Sequence, residues 1–219
     1  MTTAHSSPPG LLALHALRLK GVGKPATLAR RFAQDPDEVS ELMLDFEACG
    51  WVRRVEFAGA GGWALTEAGR VENERQLAAE LAESGAGPAV ADSHRAFLPL
   101  NARFLTACTN WRIRPLPGDS MATNDHTDFR WDDRVLDELG TLGRRLQLLG
   151  AELADLLGRF EGYPERYAAA LTHIQRGQRS WLDEPGLDSC HAVWFEFHED
   201  LIATLGIQRG EESWPGSTS

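Results

Sequence analysis

The stretch Lys24–Arg70, KPATLARRFAQDPDEVSELMLDFEACGWVRRVEFAGAGGWALTEAGR, decides how the N-terminal half of this chain folds. Pro25 suits the first turn of a helix, because proline has no backbone N–H to satisfy there. The sequence predicts a helix from Pro25 to about Ala33. Its expected apolar face consists of Ala26, Leu28, Ala29 and Phe32.

A second helix should follow the turn formed by residues 34–37. Asp35 can cap this helix, and Glu38 can reach back to the N–H of the cap. Gly50 is expected to end it. Apolar residues recur at i, i+3, i+4 and i+7, which buries one face of the helix. They are Val39, Leu42, Met43 and Phe46.

Two short segments rich in β-forming residues come next, Val52–Phe57 and Trp63–Thr66. Glycine-rich residues 59–62 between them supply a turn that tolerates positive dihedral angles. Helix, turn, helix and β-hairpin in this order predict a winged helix.

Two pieces of this stretch resemble the DNA-binding domain of bacterial winged-helix regulators, most closely the MarR-like group. In that group a helix ending in Gly-Trp-Val-Arg-Arg leads into a wing that closes with Leu-Thr-x-x-Gly-Arg. The matching pieces here are Gly50–Arg54 and Leu65–Arg70. The resemblance covers roughly residues 9 to 82, and it implies a DNA-binding transcriptional regulator.

Further helices should flank this stretch. A short helix is predicted around Leu11–Leu17, after residues 1–9, which we expect to be disordered. Thr66 can cap a helix that runs to about Glu83, and residues 84–88 have the small residues and proline of a linker. We therefore predict a winged helix-turn-helix domain over residues 9–84 and an all-helical effector and dimerisation domain over residues 89–209. The residues expected to face inward on the capped helix are Val71, Leu77 and Leu81.

The second half is patterned as helices, predicted over His94–Cys108, Tyr163–Trp181 and Cys190–Leu205. A polar stretch from Thr109 to about Phe129 interrupts them. Loops of about twenty residues are uncommon in compact domains and are often functional.

The strongest periodic signal is Asp132–Phe160, predicted as one long helix. Gly143 and Gly150 beside its apolar seam let another element come close. The wide apolar stripe favours a helix that is central to a bundle or shared across a dimer. On one flank of the seam the side chains alternate in charge: Glu138, Arg145, Glu152 and Arg159. The seam alternates at spacings of four and three residues, as heptads do: Val135, Leu139, Leu142, Leu146, Leu149, Leu153, Leu156 and Phe160.

Composition excludes several classes of protein. With 219 residues, of which 42% are hydrophobic and 25% charged, the chain can bury a core. No run approaches the ~18 apolar residues of a membrane span. Residues 1–10 show no basic region or cleavage pattern, so we do not expect secretion. Cys49, Cys108 and Cys190 have no metal or redox spacing, so we expect buried reduced thiols in a cytoplasmic protein.

The predicted reading helix, Asp37–Cys49, has an acidic outer face. This face carries no Arg, Lys, Asn or Gln, the side chains that read purines. A net charge of −10 also argues against indiscriminate nucleic-acid binding. The members of the face are Asp37, Ser40, Glu41, Leu44, Asp45 and Glu47.

Phosphate contacts would have to come largely from a local basic patch to which Arg18 and Lys20 also belong. Arg30 and Arg31 in particular are expected to contact phosphates. The rival hypothesis is a winged helix reused as a protein-docking adaptor, whose acidic face meets a basic partner without reading DNA. The predicted DNA-binding residues are Lys24, Thr27, Arg30, Arg31, Ser40, Arg53 and Arg54.

The helical half holds tryptophans among basic and polar side chains. One interpretation is a small-molecule pocket between helices, in which arginines would suit an anionic effector. The other is that the tryptophans fill a core and the arginines pair with nearby aspartates. The predicted ligand-binding residues are Trp111, Arg112, Arg114, His126, Trp131, His191, Trp194 and His198.

Neither catalysis nor a bound metal is expected. His191 and His198 lie two helical turns apart, about 10 Å, which is too far to share one ion. Cys190 and His191 are sequence neighbours, a poor geometry for a thiolate–imidazole pair. No glycine-rich phosphate loop, nucleophile elbow or HExxH motif occurs, so no catalytic residue, metal or cofactor is predicted.

Together these patterns predict a mostly α fold with a small β-wing: an N-terminal winged helix plus a C-terminal all-α bundle. The predicted function is a DNA-binding transcriptional regulator with a helical dimerisation and ligand-sensing domain. The expected partners are double-stranded DNA, a second copy of the chain in a homodimer and a small anionic effector, and no membrane.

Overall fold

A computed structural model describes residues 4–57 and 60–207 of the chain. This part is mostly helical with a small β-sheet, as the sequence predicts, and the sheet is antiparallel with three strands. None of its helices combines the length and the apolar character needed to cross a membrane. The helices are α1 (Pro9–Lys20), α2 (Pro25–Arg31), α3 (Pro36–Ala48), α4 (Glu67–Ser84), α5 (Gly87–Arg112), α6 (Phe129–Ala154), α7 (Tyr163–Gln175) and α8 (Cys190–Leu205), with short 3-10 helices at Gly158–Phe160 and Arg179–Leu182. The strands are β1 (Val22–Gly23), β2 (Val52–Phe57) and β3 (Ala60–Leu65).

The chain divides into two compact units. Within the described residues, the first unit comprises residues up to 91 together with 154–159 and 199–207, and the second comprises 92–153 and 160–198. The first unit therefore takes in two short segments from the C-terminal half of the sequence.

The sheet of the first unit has the strand order β1-β3-β2. β2 and β3 pair from Val52 opposite Leu65 to Phe57 opposite Ala60, and the β1 residue Val22 pairs with Ala64. The sequence did not predict β1, because a two-residue strand has no periodicity of its own. β3 begins three residues earlier than predicted, so residues 61 and 62 belong to a strand; residue 59 of the predicted turn lies outside the described residues.

The core of the first unit forms where α1, α2, α3 and the sheet pack together. On α3, Val39 and Met43 are fully buried and Phe46 nearly so, which confirms the predicted face. Asp35 caps this helix as predicted, since its carboxylate accepts hydrogen bonds from the backbone N–H groups of residues 37 and 38 at 2.8 and 3.2 Å. On α2, Ala26 is exposed, contrary to the prediction.

The start of α4 is fixed by Thr66, as predicted. Its hydroxyl accepts a hydrogen bond from the N–H of Gly69 at 3.1 Å and lies 2.7 Å from the carbonyl oxygen of Gly50. Leu77 is buried as expected, but Val71 is exposed. Two polar side chains of α4, Asn73 and Glu80, are also buried. Asn73 Oδ1 lies 3.4 Å from Nδ1 of His15, and Glu80 accepts a hydrogen bond from Arg159 at 2.7 Å.

The N-terminal segment is ordered from residue 4, so the predicted disorder is wrong for residues 4–9. His5 forms a parallel bridge with Leu157, and the buried hydroxyl of Ser7 donates to Glu80. The predicted linker is also short, since only residues 85 and 86 separate α4 from α5. Residues 1–3 lie outside the described part of the chain.

The predicted heptad seam is buried along most of α6. Five of the seam positions that lie within α6 are at most 5% exposed. The helix nevertheless ends at Ala154, so the prediction of one helix as far as Phe160 is wrong. Leu156 is partly exposed, and Arg159 is buried instead of lying on a charged flank. The five buried positions are Val135, Leu139, Leu142, Leu146 and Leu153.

The glycines beside the seam allow α7 to approach α6 closely. A Cβ atom on Gly143 would lie 2.8 Å from Cε1 of Tyr167, and one on Gly150 would lie 2.9 Å from Cγ of Pro164. The ring of Tyr167 cannot move aside easily, because it is buried and its hydroxyl donates to the carbonyl oxygen of Leu139 at 3.1 Å.

Gly143→Ala should therefore destabilise the protein by about 2 kcal/mol, because the added methyl group overpacks the contact with Tyr167. Gly140→Ala is the matched control on the same helix. Its Cβ would meet only the flexible end of Arg144 at 3.7 Å, so the gain in helix propensity should stabilise by up to about 1 kcal/mol. Urea denaturation measures both changes, and equal effects of the two variants would contradict the close packing.

Candidate nucleic-acid interface

The outer face of α3 is exposed as predicted. Burial of Val39, Met43 and Phe46 turns the opposite side of the helix to solvent. Leu44 lies among the carboxylates with 49% of its surface exposed. The exposed members are Asp37, Ser40, Glu41, Leu44, Asp45 and Glu47.

Besides Arg54, three of the predicted phosphate-binding side chains are accessible. Lys24 precedes α2, Arg30 lies on its last turn and Arg53 lies on β2, and all three are exposed. Arg30 also donates a hydrogen bond from Nη2 to Oγ1 of the half-buried Thr27 at 3.3 Å. These cations can reach a ligand without losing a buried contact.

Arg54 is accessible but already paired. Its Nε and Nη2 atoms donate to the two carboxylate oxygens of Glu47 at 3.2 and 3.4 Å, and its guanidinium group lies 4.6 Å from the ring centre of Trp63. The pair links β2 to the last turn of α3. It neutralises one carboxylate of the acidic face and uses one cation of the predicted phosphate-binding set.

A cleft of about 360 Å³ opens beside the start of α2 and the hairpin. Its cations are Lys24 and Arg54, its carboxylate is Glu56, and the indole of Trp63 forms part of the wall. The cleft thus brings two of the predicted DNA-binding residues together. It is lined by Lys24, Pro25, Arg54, Val55, Glu56, Gly61, Gly62 and Trp63.

Arg31 and Arg18 are not part of this surface, which corrects the prediction. Arg31 is only 8% exposed, and its guanidinium carbon lies 4.4 Å from the ring centre of Phe32. Arg18 is buried between two carboxylates, donating to Glu199 at 3.0 Å and to Glu74 at 2.9 Å. Neither arginine can contact a phosphate in this conformation. Apolar neighbours flank both residues, Leu17 and Leu19 beside Arg18 and Phe32 beside Arg31, but the carboxylates that hold Arg18 are distant along the chain.

The predicted ligand residues fall into two groups within the second unit. In one group, the ring of Trp111 lies 4.7 Å from that of His126, and the indole N–H of Trp131 donates to the carbonyl oxygen of Asn110 at 2.7 Å. Arg112 and Arg114 are bound by aspartates, as the alternative interpretation expects. They donate to Asp183 at 2.6 Å and to Asp128 at 3.1 Å, respectively.

The other group lies on α8. Trp194 is buried, stacks on Phe104 with ring centres 4.6 Å apart, and donates its indole N–H to Asn101 at 3.0 Å. His198 stacks on His94 at 6.1 Å, whereas His191 is exposed. Trp194 therefore fills a core, as the alternative interpretation expects. The ring of His191 lies 6.2 Å from that of Phe104 and 6.4 Å from that of Phe195.

Residues 113–128 form an ordered loop around Asn124. The buried Asn124 amide donates to the carbonyl oxygen of Trp111 at 3.0 Å and to Asp132 at 2.9 Å. His126 Nδ1 lies 2.9 Å from the other oxygen of Asp132, and His126 adopts a left-handed φ of 60°. Asp132 was not singled out from the sequence. The available signal was an aspartate in the first turn of α6 that follows the polar run of residues 124–128.

The loop also holds two carboxylates in their charged form. The side chain and backbone N–H of Thr127 hydrogen-bond to Asp125 and lower its pKa below the usual value. The backbone N–H of Trp131 does the same for the pKa of Asp128. Both aspartates lie close to Arg114, at 4.0 and 3.1 Å. The positive charge of that arginine is therefore largely compensated.

The three cysteines differ in exposure. Cys49 is exposed, which contradicts the prediction, while Cys108 is half-buried and Cys190 is buried. Burial raises the pKa of Cys108 to about 12 and raises the pKa of Cys190 as well. Both thiols therefore stay protonated near neutral pH and are poor nucleophiles. Within residues 4–57 and 60–207, no three His, Cys, Asp or Glu side chains form a group that could hold a metal ion.

No protein-family model, no curated protein and no solved structure matches this chain.

Asp132→Ala should lower the free energy of unfolding by about 2–3 kcal/mol, because Asn124 and His126 both lose a buried acceptor. Asp133→Ala is the matched control, since the neighbouring aspartate is exposed and should change stability by less than about 0.5 kcal/mol. Urea denaturation compares the two variants. A small loss for Asp132→Ala would show that this hydrogen-bonded loop contributes little to the second unit.

Proposed function

We propose that the first unit is a winged helix of the MarR-like kind and that the chain is a DNA-binding transcriptional regulator. The observation that carries this proposal is the element order α1-β1-α2-α3-β2-β3 with the sheet order β1-β3-β2. In it, two consecutive helices joined by a short turn are followed by a hairpin. In such an arrangement α3 can lie in the major groove, and the hairpin can contact the neighbouring DNA backbone.

The exposed charges support a particular mode of binding. Lys24, Arg30 and Arg53 are free to approach phosphates, and Arg54 could exchange its partner Glu47 for one. Phosphate contacts position a protein on DNA but carry no sequence information directly. The acidic α3 face has only Ser40 as an uncharged polar side chain. Affinity would therefore come mainly from the cations around α3, and direct reading of bases by α3 would be limited.

A second candidate is a winged-helix adaptor that binds a basic protein and not DNA. The observation that favours it is the exposure of Asp37, Glu41 and Asp45 around Leu44, a half-exposed apolar side chain. Carboxylates placed against phosphates repel them, and like charges at an interface cost several kcal/mol. The same carboxylates would attract a basic surface, against which Leu44 could be buried.

The homodimer and the effector belong to the same proposal and are assigned to the second unit. A dimeric regulator would bind two half-sites spaced about one helical turn of DNA apart. A small anionic effector would have to compete with Asp183 for Arg112 and with Asp128 for Arg114. This competition predicts weak binding for a singly charged effector.

The combined variant Lys24→Ala, Arg30→Ala and Arg53→Ala should weaken DNA binding at all sequences alike and reduce the slope of log affinity against log salt by about 3. Fluorescence anisotropy with a duplex from the native genomic neighbourhood, titrated from about 50 to 200 mM salt, measures this slope. The control with the same charge change is Arg145→Ala, Arg176→Ala and Arg179→Ala, three exposed arginines of the second unit. An unchanged slope would contradict the assigned phosphate contacts.

The isosteric variant Glu41→Gln with Asp45→Asn separates the two candidates. If α3 lies against DNA, removing two negative charges should strengthen DNA binding. If the parent protein does not bind DNA even at low salt, the regulator proposal fails. A basic partner that binds the parent protein and loses affinity for this variant would then support the adaptor.

A further inference from the structure

A cluster of polar and charged side chains lies buried inside the first unit. We call it the Arg159 cluster. Each member is at most 7% exposed, and the members come from the N-terminal segment, α1, α4, the 3-10 helix at residues 158–160 and α8. Burying such groups is costly unless every charge is paired and hydrogen-bonded. The members are Ser7, His15, Glu80, Arg159, Asp200 and Thr204.

Arg159 is the centre of the cluster, since all three guanidinium nitrogens donate to side-chain oxygens. Nε donates to Glu80 at 2.7 Å, Nη2 donates to Thr204 at 2.7 Å, and Nη1 donates to Asp200. The second carboxylate oxygen of Glu80 accepts from the hydroxyl of Ser7. One arginine from after α6 thus holds α4, α8 and the N-terminal segment together.

Asp200 extends the cluster from α8 to α1. Its Oδ1 atom lies 3.0 Å from Nε2 of His15, and neither side chain has any exposed surface. Burial alone would raise the pKa of Asp200, but the charges of Arg159 and His15 outweigh it and hold the pKa well below its usual value. The carboxylate is therefore ionised near neutral pH.

His15 extends the same contacts to α2. Its ring stacks on Phe32, with ring centres 6.2 Å apart and planes 19° from parallel. Phe32 is the C-cap residue of α2, and the guanidinium carbon of Arg31 lies 4.4 Å from the centre of the same ring. The charge of Arg31 also lowers the pKa of Asp200. The end of α2 is thus supported by a carboxylate that lies far away in the sequence.

We propose that the Arg159 cluster is a latch that holds α2 in place through Asp200 and His15, so that a displacement of α8 or of residues 154–159 loosens the proposed DNA-binding surface. The effect on DNA rests on the proposed function, whereas the coupling of α8 to α2 does not. A fragment of residues 9–84 would lack Arg159 and Asp200. The latch therefore makes the stability of α2 depend on residues from the C-terminal half.

Hydrogen exchange of the full chain tests the coupling. Asp200→Asn keeps the size of the side chain but removes the charged acceptor of Arg159 and His15. Backbone amides of α1 and of residues 28–32 should exchange roughly 100-fold faster, because removing one partner leaves buried charges uncompensated. The matched control is Glu138→Gln, which removes the carboxylate that accepts from Arg103 at 2.7 and 2.9 Å in the second unit. It should leave exchange in α1 and α2 unchanged.

Thr204→Val keeps the test decisive if Asp200→Asn does not fold. It removes one hydrogen bond of Arg159 and should raise exchange in α1 and α2 by roughly tenfold, in the same amides. Faster exchange confined to α8 and residues 154–159, with α1 and α2 at parent rates, would overturn the latch.

The anisotropy titration, run in parallel, separates this failure from a failure of the proposed function. If the parent protein has no DNA affinity, the regulator proposal fails, and the hydrogen-exchange result alone decides the latch proposal. If the parent protein binds DNA, and the Asp200→Asn variant binds it equally well and keeps α2 protected, only the latch proposal fails.

Discussion

The first unit depends on the pairing of one buried guanidinium group. The side chain of Arg159 has no exposed surface, and its nitrogens donate to protein oxygens of Glu80, Asp200 and Thr204. A buried ion pair need not add stability over a well-packed apolar alternative, but losing one partner is strongly destabilising. The main effect of these ion pairs is therefore to specify which segments pack together, and their net contribution to stability is smaller. It explains why residues 154–159 and 199–207 belong to the same unit as α1 and α4.

Ion pairs and burial within the first unit also reduce the basic surface around the proposed reading helix. Arg18 is held by Glu74 and Glu199, Arg31 is buried against Phe32, and Arg54 is bound by Glu47. What remains exposed is a small set of cations beside a helix rich in carboxylates. The proposal of DNA binding rests on the topology, whereas the alternative proposal of a basic partner rests on the charge of the α3 surface. These two facts are independent, because a fold determines which surfaces are presented and not their chemistry.

The second unit is built around the seam of α6 and the aromatic side chains that pack in its core. Trp194 lies between Phe97 and Phe104, with ring centres 4.9 and 4.6 Å away, and Gly143 lets Tyr167 pack against α6. The arginines that would suit an anionic effector are paired with aspartates. Any sensing site in this unit therefore has to form by exchanging existing contacts and not by filling a ready-made charged pocket.

Local sequence determined the buried faces of α3 and α6 and the starts of α3 and α4. The buried side of α3, the caps at Asp35 and Thr66 and the seam from Val135 to Leu153 follow from helical periodicity and from hydrogen bonds within a few residues. Strand β1, the end of α6 and the burial of Arg159 did not follow, because each depends on a partner far along the chain: β3, the N-terminal segment and Asp200. The sequence shows that a residue carries a charge. Only the tertiary structure decides whether that charge is offered to a ligand or used inside the fold, because burial is stable only when distant partners supply the compensating contacts.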